Sequence, residues 1–363
     1  MNPRLSLRTS LVALAVAGAA LPAAIGARPA EQVAGWSSFE SDAAASHYSP
    51  FTDIDRTNVD KLANAWTHEV GSLAISCEPL VLSDRLILVG EGGAIVALDP
   101  ETGRQLWRTE KNVAYPGLRG FAYWRSPDGR EERVFLPSAT SVRALDPKSG
   151  KLYPDFRIDL RQGLDRDPRN IRRIAPTSPG RVFDNLLILG SITGENYESP
   201  PGDVRAFDVR TGKLVWTFHT LPRPGERGAE TWPENAWSYG GGANAWGGHT
   251  VDEKRGILYF VTGSAVYDFY GGDRKGDNLY ANSLVALDAR TGTYLWHFQA
   301  VHHDLWDYDM VASPTLLSIR RGGKRVDAVA AAGKTGFLYV FDRVTGKPLF
   351  PIVERPVPQS DVP

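Results

Sequence analysis

Between Val301 and Asp309 the chain reads Val-His-His-Asp-Leu-Trp-Asp-Tyr-Asp. Three carboxylates (Asp304, Asp307, Asp309), two imidazoles (His302, His303) and two large aromatics (Trp306, Tyr308) crowd this run. That is more polar groups than a buried strand tolerates and more aromatics than an ordinary loop carries. A carboxylate such as Asp307, set between Trp306 and Tyr308, is expected to lose solvent, which raises its pKa and suits it to accept a proton near neutral pH. Lys334, in Gly333-Lys334-Thr335-Gly336, follows 27 residues later and would oppose that shift or hold a developing oxyanion. Solvated turn residues at a strand end have the same composition, and the run by itself does not separate the two. His302 and His303 are adjacent, so on a strand they face opposite ways and a shared metal is not expected. One is expected to orient Asp307 or substrate, and the other to pack.

Further candidates lie upstream. Trp246 sits in Tyr239-Gly240-Gly241-Gly242-Ala243-Asn244-Ala245-Trp246-Gly247-Gly248, where glycines allow close approach of backbone to a flat ligand and the indole offers a stacking face. Gly240-x-Gly242 is not a dinucleotide fingerprint, since no helical pattern follows and no third glycine falls in register. Gly333-Lys334-Thr335 ends like a phosphate loop, but Ala328 stands where its first glycine belongs. Glu195, in a Gly-rich turn, supplies an oxygen donor of the kind a hard cation takes.

The elements that must hold these residues are strands. Gly 36, Pro 25 and Trp 10 are high and Met 2 is low, the composition of many short strands and tight turns rather than a helical bundle. A repeat runs through the chain: Ala97-Leu98-Asp99-Pro100-Glu101-Thr102-Gly103 to Trp107, Ala144-Leu145-Asp146 with Ser149-Gly150, Ala206-Phe207-Asp208 with Thr211-Gly212 to Trp216, Ala286-Leu287-Asp288 with Thr291-Gly292 to Trp296, and Val340-Phe341-Asp342 with Thr345-Gly346 to Phe350. The second copy is degenerate, with Pro154 in place of the tryptophan. Each unit reads as strand, tight turn, strand: Asp accepts from turn amides, Gly takes the positive φ, and the terminal Trp packs between neighbouring sheets. Starts at 97, 144, 206, 286 and 340 fit four-stranded β-propeller blades with insertions, about five of them.

These motifs resemble the pyrroloquinoline-quinone (PQQ) dehydrogenases, most closely the quinoprotein glucose dehydrogenases and more distantly the methanol dehydrogenases. The resemblance rests on His302-His303-Asp304-Leu305-Trp306-Asp307, on Ala332-Gly333-Lys334-Thr335-Gly336-Phe337, on the repeat, and on an entry segment Trp36-Ser37-Ser38-Phe39 through Trp66. It implies an all-β, PQQ-type propeller with eight blades in the family, so this chain is expected to be an incomplete or C-terminally truncated one. It also implies Asp307 as catalytic base, Lys334 at the reactive quinone oxygen, Trp246 as the floor under the quinone, and Arg119 paired with a PQQ carboxylate. Glu195 matches the family's Ca2+-ligating Glu, with Asp307. The next ligand, an Asn in the family, is Ser264 here. The first cofactor-facing acid stands three residues before Pro79 in the family, where this chain has Ser76, so Glu78 is a displaced candidate. Asp268 belongs to an insertion resembling the family's substrate-facing loop, with no role assigned.

The single cysteine, Cys77, rules out an intrachain disulfide, a thiolate metal cluster and a Cys-x-x-Cys-His haem. The methanol dehydrogenases carry a vicinal disulfide, so this favours the glucose dehydrogenase side. A net charge of −1 leaves no footprint for nucleic acid. Residues 1–30 read as an export signal, with Arg4 and Arg8 ahead of an apolar run from Leu11 to Ile25, and residues 31–363 as the propeller domain. The expectation is a periplasmic or secreted enzyme, or one with an uncleaved membrane anchor, that oxidises an aldose or other alcohol and passes electrons to a membrane quinone or cytochrome. The alternatives are a non-catalytic propeller scaffold built from the same repeats and an inactive truncated relic.

Overall fold

The computed structural model describes residues 36–355 apart from 72–76, 114–118, 139, 165, 168–170, 172–173 and 177. The export signal at 1–30, Ser76 and the final residues from Arg355 onward, 356–363, lie outside the described residues or at their edge. Among the described residues, five antiparallel sheets of three or four strands follow one another along the chain, and a two-stranded ribbon begins between the third and fourth. The first holds β1 (Leu80–Val81), β2 (Leu86–Val89), β3 (Ile95–Leu98) and β4 (Gln105–Arg108), and the second β5 (Ala122–Arg125), β6 (Glu132–Ser138), β7 (Ser141–Leu145) and β8 (Ile158–Asp159). The third holds β9 (Arg181–Phe183), β10 (Leu186–Leu189), β11 (Val204–Asp208) and β12 (Leu214–Phe218). A two-stranded ribbon then pairs β13 (Gly241–Gly242) with a later strand, and β14 (His249–Asp252) and β15 (Ile257–Val261) begin the fourth sheet. The ribbon is closed by β16 (Ala265–Val266), and β17 (Ser283–Asp288) and β18 (Tyr294–Gln299) complete the fourth sheet. The fifth has three strands, β19 (Thr315–Arg321), β20 (Lys324–Ala332) and β21 (Leu338–Asp342).

Each sheet is a meander in sequence order, as expected of propeller blades. The inner strands are apolar on both faces rather than alternating: β15 is buried throughout, and so is β17 up to Asp288. The reason is that the second, third and fourth sheets are each covered on both sides. One apolar cluster joins the first two sheets (Ile87, Ala97, Val134, Leu136), another the second and third (Trp124, Phe135, Leu187, Phe207). A third joins the third and fourth (Ile188, Trp216, Leu258, Val285), and a fourth the last pair (Tyr259, Trp296, Val329, Phe341).

The repeat builds the turn between the third and fourth strands. Asp99 Oδ1 accepts from the Glu101 and Thr102 amides, both at 3.0 Å, while Gly103 N donates to the Asp99 carbonyl at 2.9 Å. A register shift recurs just before the Asp, at Ala97/Leu98, Ala206/Phe207 and Ala286/Leu287. The terminal Trp of one unit lies flat on the turn glycine of the next sheet. A Cβ on Gly292, whose φ is +71°, would stand 2.7 Å from the Trp216 ring, and one on Gly346 2.6 Å from Trp296. Trp107 covers Gly150 in the same way, and Trp66, from the entry segment, covers Gly103. In the degenerate second copy the fourth strand forms later, at β8, and Gly212 rests against the Arg157 carbonyl instead.

Residues 36–45 bond to the first strands of three sheets, β1, β14 and β19. Val81 N donates to the Trp36 carbonyl, Val251 N to Ala43 and Leu316 N to Ala44, at 2.9, 2.8 and 3.0 Å. Arg181, 3% exposed, fastens the segment. Its Nη1 donates to Ser38 Oγ at 2.6 Å and to the Phe39 and Asp42 carbonyls at 3.0 and 2.9 Å, and its Nε donates to the His249 carbonyl at 2.8 Å.

Candidate functional site

In a four-stranded antiparallel meander, the connections between strands two and three and from strand four to the next sheet emerge at one end, opposite the repeat turns. The site residues lie on those connections. Arg119 precedes β5, Glu195 lies between β10 and β11, Trp246 between β13 and β14, Ser264 and Asp268 between β15 and β17, Asp304 to Asp309 between β18 and β19, and Lys334 between β20 and β21. Arg119, Glu195, Trp246, Ser264, Asp268, Asp307, Asp309 and Lys334 line one cleft of about 230 Å³.

The expected pair meets. Lys334 Nζ donates to Asp307 Oδ2 at 2.7 Å and to Asp309 Oδ2 at 3.1 Å. The spacing of 27 residues closes because a backbone bridge joins Met310 to Gly333 and Lys334 N donates to the Asp309 carbonyl at 2.9 Å. Burial works against the Lys334 charge, but its bonds to Asp307 and Asp309 outweigh this and hold its pKa above the ordinary lysine value. Asp307 itself has φ +59°, a left-handed conformation that Asp tolerates better than most residues.

The environment of the acids differs from expectation. Trp306 is 72% exposed and does not enclose Asp307. Burial falls instead on Asp309 and Asp268, 7% and 4% exposed, which the sequence reading left without a role. Asp309 accepts from Ser264 N at 2.6 Å and from Trp246 Nε1 at 3.2 Å. Its pKa is raised, by burial first and by the Asp307 charge, against the pull of the Ser264 amide and Lys334. Asp268 is pushed up to about 7, by burial first and then by the charges of Asp307, Glu195 and Asp309, with Arg274 opposing. Gly263 makes the Trp246–Asp309 contact possible: a Cβ there would stand 2.6 Å from Asp309 Oδ1.

Asp304 lies beneath the cleft and shapes the loop above it. Its carboxylate accepts from Trp306 N at 2.9 Å, Tyr308 N at 2.7 Å, Asn282 Nδ2 at 2.8 Å and the Ser264 hydroxyl. The histidines do not orient Asp307. His302 bonds Gln299 Oε1 at 3.0 Å and Glu354 at 3.3 Å, and His303 Nδ1 bonds the Gly276 carbonyl at 2.8 Å. The orienting falls to Lys334 and, through the loop, to Asp304.

Arg119 and Trp246 form one wall, with the guanidinium 5.0 Å from the indole centroid. Glu78 is not among the residues lining the cleft. Its backbone N donates to the Arg119 carbonyl at 2.7 Å, and its carboxylate receives the Glu40 amide at 3.2 Å. Burial, with the Glu40 charge, raises its pKa.

A flat anionic ring system fits this cleft by chemistry: an indole face, two cations in Arg119 and Lys334, and glycine backbone behind them. Gly190 meets Ala245 so closely that a Cβ would lie 2.0 Å from its carbonyl oxygen. A hard cation also fits the donor set, since the carboxylates of Glu195, Asp268, Asp307 and Asp309 line one cleft, and the charges of the other three help to raise the pKa of Asp268. The shell is not ready-made: among the described residues no three His, Cys, Asp or Glu side chains are gathered to hold a metal, and the Ser264 hydroxyl is turned to Asp304.

Comparison with known proteins bears on the same cleft. The family model of the glucose/ethanol/alcohol dehydrogenase β-propeller domain (PQQ) matches residues 36–363. Quinoprotein glucose dehydrogenase A of Acinetobacter calcoaceticus is 31% identical, over 90% of this chain and 45% of its own length. The quinate/shikimate dehydrogenase (quinone) of Acinetobacter baylyi is 30% identical, over 92% and 46%. Among solved structures, the quinohemoprotein alcohol dehydrogenase from Comamonas testosteroni superposes with a TM-score of 0.76 at 27% identity, over 88% of this chain and 49% of that one. The chain thus spans about half the length of the relatives it matches.

Proposed function

Because this chain belongs to the PQQ-dependent glucose, ethanol and alcohol dehydrogenase β-propeller family, we propose that it oxidises a hydroxyl group of an aldose or other alcohol in the cleft around Asp307. The observation that carries the reading is the bonded set Asp307–Lys334–Asp309–Trp246 at the cleft. Asp307 is the base that accepts the substrate hydroxyl proton, held in place by the Lys334 ammonium. Lys334 also supplies positive charge for an oxyanion developing beside it. Arg119, Lys334 and Trp246 are the groups that would hold PQQ, with Glu78 acting on the Arg119 segment from behind. Glu195, Asp307 and Ser264 are the candidate Ca2+ ligands, and Asp309 adds a further carboxylate. Bound PQQ supplies a two-electron acceptor and Ca2+ a Lewis acid. Export to the periplasm or beyond the cell, and a membrane quinone or cytochrome as the next electron acceptor, complete the proposal.

The test is titration of the purified protein with PQQ and Ca2+, following quinone absorbance and dye-linked oxidation of glucose, for wild type and Asp307→Asn. Wild type is expected to bind saturably and turn over only with the divalent cation present. The variant is expected to keep PQQ binding and lose turnover by at least about 100-fold. Undiminished turnover in Asp307→Asn would remove Asp307 as the base.

A further inference from the structure

The four cleft carboxylates do not have equal partners. Asp307 and Asp309 share Lys334, and Glu195 is exposed to water. Asp268, 4% exposed, has no hydrogen bond or ion pair to its carboxylate among the described residues. The arginine on its own loop bonds elsewhere through its terminal nitrogens: Arg274 Nη1 donates to Asn278 Oδ1 and Nη2 to the Tyr267 and Asp304 carbonyls. A largely buried carboxylate with no protein donor, lining the cleft, takes its hydrogen bonds from whatever fills the cleft, water or ligand.

The surroundings indicate what that is. Phe269 and Tyr270 follow Asp268 directly, Tyr197 follows Glu195 by two positions, and Trp306 precedes Asp307; all four are exposed, at 60%, 41%, 52% and 72%. Tyr197 stacks on Tyr267 with centroids 5.4 Å apart. Gly271 packs against His303 and Leu305, which brings the Asp268 loop against the loop that bears Asp307. Acids lining the cleft, with exposed aromatic side chains on the same loops, match a ligand with several hydroxyls on an otherwise apolar carbon frame.

We infer that Asp268 is a specificity-determining residue: its carboxylate accepts a hydrogen bond from a second substrate hydroxyl, beside the one that Asp307 deprotonates, so that the site selects polyhydroxylated substrates over simple alcohols. The inference rests on the dehydrogenase reading for the first hydroxyl only. A site built around a hydrogen bond rejects the analogue that lacks the group, because its own polar atom is then left unpaired.

The experiment compares glycerol with 1-propanol, which share a three-carbon frame. Wild type, Asp268→Asn and Asp268→Ser, loaded with PQQ and Ca2+, are assayed for dye-linked kcat/KM and, separately, for equilibrium binding of each alcohol by saturation-transfer NMR. The glycerol-to-propanol ratio is expected to fall by about tenfold or more in both variants, in binding as well as in kcat/KM. The inference is overturned by an unchanged ratio, by wild type that binds no polyol, or by parallel loss of both alcohols together with Ca2+ affinity, which would make Asp268 a cation ligand. Wild type that binds glycerol selectively through Asp268 but reduces no dye would sustain the inference and refute the dehydrogenase reading.

Discussion

At the scale of single residues, the cleft separates two kinds of acid. Asp304 is buried with four donors on one carboxylate and is a positioning residue for the loop that carries Asp307. Asp268 is buried with none, and its raised pKa has a direction in pH. An unfolded Asp ionises near 4, as carboxylates in model peptides do. Between there and about 7 the folded protein binds the extra proton. The stability this group contributes is therefore present at low pH and lost as pH rises through 7. Without divalent cations, Asp268→Asn is expected to melt higher than wild type at pH 8, with a smaller difference at pH 5. Thermal melts at the two pH values check this, and a larger gain at pH 5 would contradict the burial and charge crowding described for the site.

At the scale of elements, the sheets are coupled by an aromatic that belongs to one repeat and a glycine that belongs to the next. Trp296, 8% exposed, lies on Gly346 and donates its Nε1 to the Arg343 carbonyl at 3.3 Å. Trp296→Ala removes both the stacking and part of the cluster between the fourth and fifth sheets. The expected loss is about 3–5 kcal/mol in urea unfolding, with hydrogen-exchange protection falling most in β19 to β21. A loss under about 1 kcal/mol would mean that the strand pairings, not the docked ring, fix the sheet order. The second sheet already manages without a tryptophan at this position, because β8 arrives late and Ile158 and the Arg157 carbonyl fill the place.

At the scale of the whole described molecule, Arg181 is the tie between the entry segment and the third and fourth sheets. It reaches residues roughly 140 positions away in sequence, and its charge is set against Glu40 at 3.4 Å. Burial lowers its pKa and Glu40 opposes that. Arg181→Met keeps the volume but leaves the Ser38, Phe39, Asp42 and His249 acceptors without their donor. The expectation is a loss of about 3–5 kcal/mol and earlier proteolysis within residues 36–45. Limited proteolysis and chemical denaturation together decide it; normal stability with an intact segment would show that the backbone bonds to Val81, Val251 and Leu316 suffice.

What the sequence determined by itself was whatever is encoded locally and repeatedly. Asp99, Thr102 and Gly103 and their later copies fix a turn within a few residues, so the five sheets and their order were legible from the repeat. Asp307 and Lys334 were legible as a pair because each stands in a short distinctive run. The tertiary structure decided which acids are deprived of water. Asp309 and Asp268 are buried by loops from different sheets, while Trp306, the neighbour expected to enclose Asp307, points into solvent. The histidines turned to Gln299, Glu354 and Gly276, and Glu78 to the Glu40 amide, because adjacency in sequence does not say which way a loop side chain turns. Arg181 gave no sequence signal at all, since its partners lie at the far end of a long loop closure, and only the packing of complete sheets sets a desolvated charge among them.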